Sequence, residues 1–271
     1  VILRRVIAHF RKQEWTAIAL DFLIVVVGVF IGLQVNNWNE AREKMARTEI
    51  LSQRLDDDFG VDLWVASSLL DYNRAVYENA LLVLDDVTGA APLPNDKFMV
   101  AAFRASQFNH YIPSSSTYRE LVANGGLELV GTTPLGGVAA VFYEAPMIAD
   151  IVADGKSSNY RRLYRSIAPI DVQLHIAAQC GDRLTSVDDV LNHVSLISYP
   201  CELKLPAETV LDAASALRGR PELAEALRLR IATLATQNYD LGILLESTKS
   251  YRASKDALAK SSRSVIFGAD K

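Results

Sequence analysis

The sequence predicts an all-α protein, with an N-terminal transmembrane helix followed by an extracytoplasmic helical bundle built on two long helices. Three observations carry this. An uninterrupted apolar run near the N-terminus is about as long as a bilayer core is thick. Two later stretches repeat apolar residues at three–four spacing over many turns. Val- and Tyr-rich alternation, the mark of strands, is nearly absent.

Composition narrows the classes. The chain has 271 residues, of which 50% are hydrophobic and 22% charged, with a net charge of -4. That balance fits neither a disordered chain nor a multi-span transporter. The charge is mildly negative and no dense basic stripe occurs, which argues against a nucleic-acid partner. Beyond the N-terminal segment about 230 residues remain, enough to bury a core without metals or staples. The first residue is Val1, so either the start lies upstream or a non-ATG codon is read literally.

Residues 1–16 form a short basic tail with Arg4, Arg5, Arg11 and Lys12. The span follows at 17–38. Ala17 to Val35 is 19 residues with one charge, Asp21. As a helix this run covers about 28 Å. The stretch 24–31 has no polar face, which disfavours an amphipathic surface helix. Trp15 and Trp38 flank the run as interfacial aromatics do, and Asn36 and Asn37 complete its polar exit. No small-x-small cleavage pattern follows, so the run is expected to stay as a signal anchor. Four basic residues precede it, and Arg42, Lys44 and Arg47 follow closely. This slight excess, with the short basic tail, favours the N-terminus inside and the domain outside.

Asp21 lies about one turn into the span. Either it reaches back to headgroups or takes up a proton, or it pairs with a basic or amide group on a partner helix. One acid with no second intramembrane ionisable group makes a poor proton relay. Gly28 and Gly32 form a G-x-x-x-G, spaced to let another backbone approach closely. Glycine is common in membrane helices, so the pair alone is weak. Asp21, seven residues before Gly28, falls near the same face. With Gln34 at the exit, these residues make a candidate docking stripe for a partner protein or a second copy.

The bundle is expected over 39–260. Its first long helix carries Leu51, Leu55, Phe59, Leu63, Ala66, Leu70, Asn73, Tyr77, Ala80, Leu84 and Val87 on one stripe. Gly60 weakens it locally, and the stretch from Thr88 to Pro94 stops it. The second begins near Pro221 and carries Leu223, Leu227, Ile231, Leu234, Asn238, Leu241, Leu245 and Thr248. Asn238 sits on that seam, where an amide can fix helix register. Shorter helices are expected around 96–108, 117–124, 134–153 and 158–179, with a patch near 187–194. Residues 261–271 read as a frayed tail unless 265–267 dock.

Two motifs resemble a known group. Asp21 through Glu40 reads acid, apolar run, Gly28-x-x-x-Gly32, then Leu33-Gln34-Val35-Asn36-Asn37-Trp38-Asn39-Glu40. A second segment reads Ser116-Thr117-Tyr118-Arg119-Glu120-Leu121, then Gly125 and Leu127. Both resemble an uncharacterised bacterial family of single-pass membrane proteins that carry a domain of unknown function. The resemblance implies an anchored, mostly helical protein of the bacterial cytoplasmic membrane. It implies no chemistry.

Candidate chemistry is sparse. Cys180 and Cys201 are the only cysteines, with 20 residues between them. In an exported domain they are expected to pair, which stabilises by about 3 kcal/mol in the chain-entropy model. In a cytosolic domain both would be thiols. His175, Cys180, His193 and Cys201 lack the close pairing of zinc ligands, and no metal site or cofactor is expected. Asp56-Asp57-Asp58-Phe59-Gly60-Val61-Asp62 mimics a calcium loop, but Ser67 stands where a bidentate Glu belongs. It reads as a solvated acidic patch. Ser114 to Ser116 lack a nucleophile elbow, and Thr117 with Glu120 fits a capping box. Ser116, Thr117 and Tyr118 are therefore either a packing segment or a ligand-facing loop. No catalysis is expected. The leading function is a membrane-anchored accessory protein acting through helix and bundle contacts. The alternative is a sensor-like extracytoplasmic module that binds a small ligand.

Overall fold

The computed structural model describes residues 15–130, 133–183 and 194–267. All regular structure among these is helical: α1 Trp15–Val87, α2 Asn95–Ala105, α3 Ser116–Ala123, α4 Leu127–Val130, α5 Pro134–Glu144, α6 Met147–Ser157, α7 Asn159–Ile167, α8 Ile170–Cys180, α9 Ala207–Arg218 and α10 Glu222–Phe267. The chain divides into two compact units, Val1–Arg54 and Leu55–Lys271.

The first unit holds the N-terminal part of α1. No proline interrupts α1, and Gly60 does not break it. Every described residue from Ala19 to Glu40 is exposed. The stretch is long and apolar enough to cross a membrane, with a mean hydropathy of 2.1 and none of it buried. The stretch Leu135–Ile167 passes the same test of length and composition. It is part buried in the second unit and is broken at Ala145-Pro146 and at Ser158, so it reads as core.

In the second unit α1 ends where the sequence stops it. Gly89 takes a φ of 78°, and the amides of Thr88, Gly89 and Ala90 turn back onto Leu84, Asp86 and Asp85 carbonyls. α2 is the centre of the core: every residue from Phe98 to Ala105 is buried. Its alanines let neighbours approach. Tyr160 and Tyr164 of α7, Val172 and Ile176 of α8, Ala213 and Leu217 of α9, and Leu223 and Leu227 of α10 join one cluster with it. A second cluster joins Tyr72, Ala75 and Val76 of α1 to Leu234 of α10 and to Ile197. Phe59 meets Tyr251 further along. These two pairings set α1 and α10 antiparallel within the unit.

Prolines divide two expected helices. The stretch 134–153 splits at Pro146 and 158–179 splits at Pro169, because the residue before proline is pushed out of the α region. Ala145 and Ala168 are both extended. Gln173 repairs the second break by donating to the Arg165 and Ala168 carbonyls at 3.0 and 2.7 Å. α4 and α9 were not expected from the pattern. α10 remains helical to Phe267, past the expected tail boundary at 260. The side chains of 265–267, the patch at 187–193 and the basic tail at 1–14 lie outside the described residues.

Asp86 and Arg218 clamp three elements. Arg218 gives Nε and Nη2 to the two Asp86 oxygens at 2.7 and 2.9 Å, Nη1 to Asn95 Oδ1 at 2.6 Å, and Nη2 to the Leu93 carbonyl at 3.0 Å. Its guanidinium lies 4.2 Å from the Phe98 ring centre. The Leu93 amide donates to Asp86 at 2.7 Å. Burial alone would raise the Asp86 carboxyl. The Arg218 hydrogen bonds, the Leu93 amide and the Arg218 charge outweigh it and hold the group below its usual value of 3.8. A lowered carboxylate contributes stability above its unfolded value and loses it as pH falls through the folded one. Asp86→Asn is therefore expected to cost about 2 kcal/mol at neutral pH. The difference from wild type should stay flat above the unfolded value of 3.8 and close below it. Chemical denaturation from neutral pH down to pH about 3 checks this.

Candidate functional site

In the first unit the residues of the docking stripe are all exposed. Asp21, Gly28, Gly32 and Gln34 are exposed, and a Cβ on either glycine would meet nothing within 4 Å. Asn36 donates to Glu40 at 2.6 Å, one turn on, and Asn39 does the same to Glu43 at 3.2 Å. These bonds tie the amide-rich exit along the helix surface. Trp38 is 69% exposed. Asn37 is exposed as well. The side chain of Trp15 lies outside the described residues. The structure thus leaves the described residues of this set exposed, with Asn36 bonded along its own helix to Glu40.

In the second unit the acidic run 56–62 is not a solvated patch. Asp57 is exposed, but α1 aims Asp58 and Asp62 at the 111–117 segment. Asp62 is buried and accepts from Tyr111 Oη at 2.5 Å, Tyr143 Oη at 2.8 Å and the Ser114 amide at 3.1 Å. Asp58 accepts from Thr117 Oγ1 at 2.6 Å. Asp56 accepts from Tyr251 Oη at 3.2 Å. Spacing explains the division of labour, since Asp58 and Asp62 are four apart and share one helix face. Tyr118 donates to Glu144 at 2.6 Å and stacks on Tyr143 at 5.2 Å. Phe59 and Phe142 close the aromatic floor edge to face at 5.4 Å. Burial first, then the hydrogen bond to Asp62, pushes the Tyr111 and Tyr143 hydroxyls up. Burial and Glu144 push Tyr118 up to about 12. These phenols stay protonated donors.

The Ser116–Tyr118 segment is therefore built into the bundle as a packing segment. The expected capping box does not form. α3 starts at Ser116, its N-cap Ser115 makes no side-chain cap, and the Thr117 hydroxyl goes to Asp58. Thr117 lies inside the first turn and not at the N-cap, so its oxygen is not placed to cap the helix. Gly125 takes a φ of 65° and Gly126 donates back to the Leu121 carbonyl at 2.9 Å, which ends α3. That is a backbone reason for glycine in the second motif.

A third group surrounds the disulfide pair. Cys180 and Cys201 lie 5.5 Å apart between Cα atoms, within the span a disulfide bridges. Buried Arg104 of α2 donates Nε to the Cys180 carbonyl at 3.2 Å and Nη2 to the Tyr199 carbonyl at 2.9 Å. Arg104 and Arg183 both lie on the Tyr199 ring, at 4.9 and 5.0 Å. Tyr72 donates to both oxygens of Asp182 at 2.9 and 3.1 Å. Burial raises the Asp182 carboxyl against the opposing pull of Tyr72, Arg104 and Arg161. Next to this lies a cavity of about 180 Å³, lined by Trp64, Leu69, Tyr72, Asn109, Tyr111 and Leu196.

Two more arginines hold the C-terminal end of α2. Arg161 donates to the Ser106 carbonyl at 2.7 Å, and Arg230 donates to the Gln107 carbonyl at 2.8 Å. Gly155 is buried where α6 meets the Phe108 ring, and a Cβ there would come within 2.4 Å of it. Arg161 covers the same ring at 4.9 Å.

Among the described residues no three His, Cys, Asp or Glu groups draw together as metal ligands. His175 bonds the Lys204 carbonyl at 2.9 Å, and His193 lies outside the described residues. No family model, no curated protein and no solved structure matches the chain.

Sequence reasoning misread Asp62 as part of a solvated patch, and it missed Tyr111, Tyr143 and the buried arginines. One signal was available: Arg104 interrupts the apolar stretch from Phe98 to Phe108 and must find acceptors there. Asp62→Asn is expected to lower stability by about 1–3 kcal/mol, since it leaves two phenols and one amide competing for a weaker acceptor. Amide exchange at Ser114 should speed up more than exchange in α8. Equal acceleration at both places would show global destabilisation rather than a released loop.

Proposed function

We propose that the protein is a single-pass membrane protein of the bacterial cytoplasmic membrane. It displays its helical bundle outside and works through contacts, as an accessory or assembly subunit. The observation that carries this reading is the uncovered apolar run of α1. Leu20, Phe22, Ile24, Val25, Phe30 and Ile31 are each more than half exposed. Water does not tolerate a patch of that size without a partner or a lipid phase. The basic tail before the run and the polar exit after it agree with an anchor whose N-terminus stays inside. The pairing distance of Cys180 and Cys201 agrees with an oxidising compartment. The motif Asp21 through Glu40 agrees with the resemblance to anchored bacterial proteins.

Asp21, Gly28 and Gly32 are the proposed contact face in the membrane. A glycine pair with open space above it allows a second helix to come close, and an acid near the same face gives that helix a polar partner. The occupant is a partner protein or a second copy of the chain. A second reading, a small-ligand-binding module, is favoured by the cavity that Trp64, Tyr72 and Tyr111 line.

Alkaline phosphatase fused after Lys271 is expected to be active in intact cells. An inactive fusion, with an active cytosolic reporter at the same site, overturns the external placement. For the contact face, a photocrosslinker at Gly28 or Gly32 is expected to capture protein, and one at Phe30 on the opposite face to capture lipid. Lipid alone from all three positions would sink the docking reading.

A further inference from the structure

The cavity beside the disulfide pair, about 180 Å³, is walled by three parts of the chain. α1 gives it Trp64, Val65, Leu69 and Tyr72 from one helix face. Asn109 and Tyr111 come from the connection after α2, and the segment 194–196 closes it.

These walls are held in place by the chain itself. Tyr72 is anchored by its hydroxyl on Asp182 at 2.9 Å, and Tyr111 by its hydroxyl on Asp62 at 2.5 Å. The Arg183 amide donates to the Leu196 carbonyl at 3.1 Å, and its Nε donates to the Ser195 carbonyl at 2.9 Å. Ile197, the next residue, is fully buried in one cluster with Tyr72, Ala75 and Val76. A preformed, mainly apolar space with few polar groups is what small-molecule sites share. Little ordering is left for a ligand to bring about.

The lining decides the chemistry. Beside the three aromatic residues stand Val65, Leu69, Val194 and Leu196. Asp71 is the one charged residue of the lining. Its side chain is 55% exposed and lies 3.6 Å from Arg74, which does not line the cavity. A charged ligand would lose its water against aliphatic walls that hold no counter-charge. Ser68 is already bonded to the Trp64 carbonyl, and Ser195 to the Ser198 amide. A polyol would leave most of its hydroxyls without partners. Asn109 differs. It is half-buried, and among the described residues its side-chain amide makes no hydrogen bond. It gives a ligand one polar partner. Volume sets the size: a dry apolar cavity of about 150 Å³ takes up benzene. The space here suits one six-membered ring with a small substituent.

We propose that this cavity binds a small, uncharged aromatic molecule that carries one hydrogen-bonding group. The ring lies among Trp64, Leu69, Tyr72 and Leu196, and the polar group meets Asn109. The inference rests on the small-ligand reading above and names the ligand class of that site.

The test uses the full chain in detergent, with calorimetry against p-cresol, toluene, tetramethylammonium, acetate and glucose. One equivalent of p-cresol is expected to bind saturably, and the last three probes are not. Val65→Phe places a larger side chain at a half-buried position of the lining and should weaken p-cresol about tenfold. In the same detergent it also measures uptake by the micelles. Asn109→Leu lies outside the helices and keeps the apolar walls. It should weaken p-cresol about fivefold and leave toluene unchanged. Binding of p-cresol that is unchanged in either variant overturns the proposal. Binding of tetramethylammonium, acetate or glucose that Val65→Phe abolishes, with p-cresol inert, overturns the ligand class and leaves the small-ligand reading standing. No binding of any probe overturns both.

Discussion

Charged side chains that reach from helices to loop main chain hold the second unit together. Three connections, 88–94, 106–115 and the described residues of 181–183 and 194–206, hold no strands to pair their amides and carbonyls. Buried main-chain groups must still find partners. The helices supply them. Arg218 takes the Leu93 carbonyl, Arg161 and Arg230 take Ser106 and Gln107, and Arg104 takes Cys180 and Tyr199. Asp86 and Asp62 take the amides of Leu93 and Ser114. Arginine suits this work because its planar fork serves several carbonyls at once and stays charged. Each such bond to a charged group is worth about 1.5–3 kcal/mol where its partner would otherwise be buried alone.

This explains which parts of the fold were legible in the sequence. Helix faces were, because apolar spacing reports burial directly. Leu51, Leu55, Phe59, Leu63, Ala66 and Leu70 are all buried as their stripe requires. So are Leu223, Leu227, Leu234 and Leu241 on the second. The Cys180–Cys201 pair was legible only on the condition of export, and the fold brings the two within bridging distance. The breaks at Pro146 and Pro169 were within reach of a plain rule about proline and were overlooked. α9 was missed because it lies in a stretch of alanines and charges, where burial of Val210, Ala213, Ala214 and Leu217 makes a narrow, small-residue face. Small residues give a weak periodic signal even when they pack fully.

The candidate sites were less legible for a different reason. Asp56, Asp58 and Asp62 read locally as charges at the edge of a helix. Their partners are Tyr251, Thr117 and Tyr111, which lie 195, 59 and 49 residues away. No local pattern encodes a pairing over that distance. The same holds for Thr117, whose neighbours suggest a cap but which lies inside α3 and bonds Asp58. The docking stripe is the opposite case. Asp21, Gly28 and Gly32 were singled out from spacing alone; all three are exposed, and a Cβ on either glycine would meet nothing within 4 Å.

The two units therefore set different demands on polar groups. Along α1 from Ala19 to Val35 the backbone satisfies itself, and Asp21 is the one charged side chain there. In the bundle, charge is used freely but is almost always assigned a task. That contrast is what makes Arg230 informative. A buried ionic group is seldom the most stable choice, and an apolar residue of similar size often packs as well. Arg104, Arg161 and Arg218 each justify the desolvation of a guanidinium by closing a connection that no apolar side chain closes. Arg230 does so with one nitrogen only, and a lysine would serve the Gln107 carbonyl as a donor. Its Nε is buried without an acceptor, and Asp154 is the acid whose charge acts on that guanidinium.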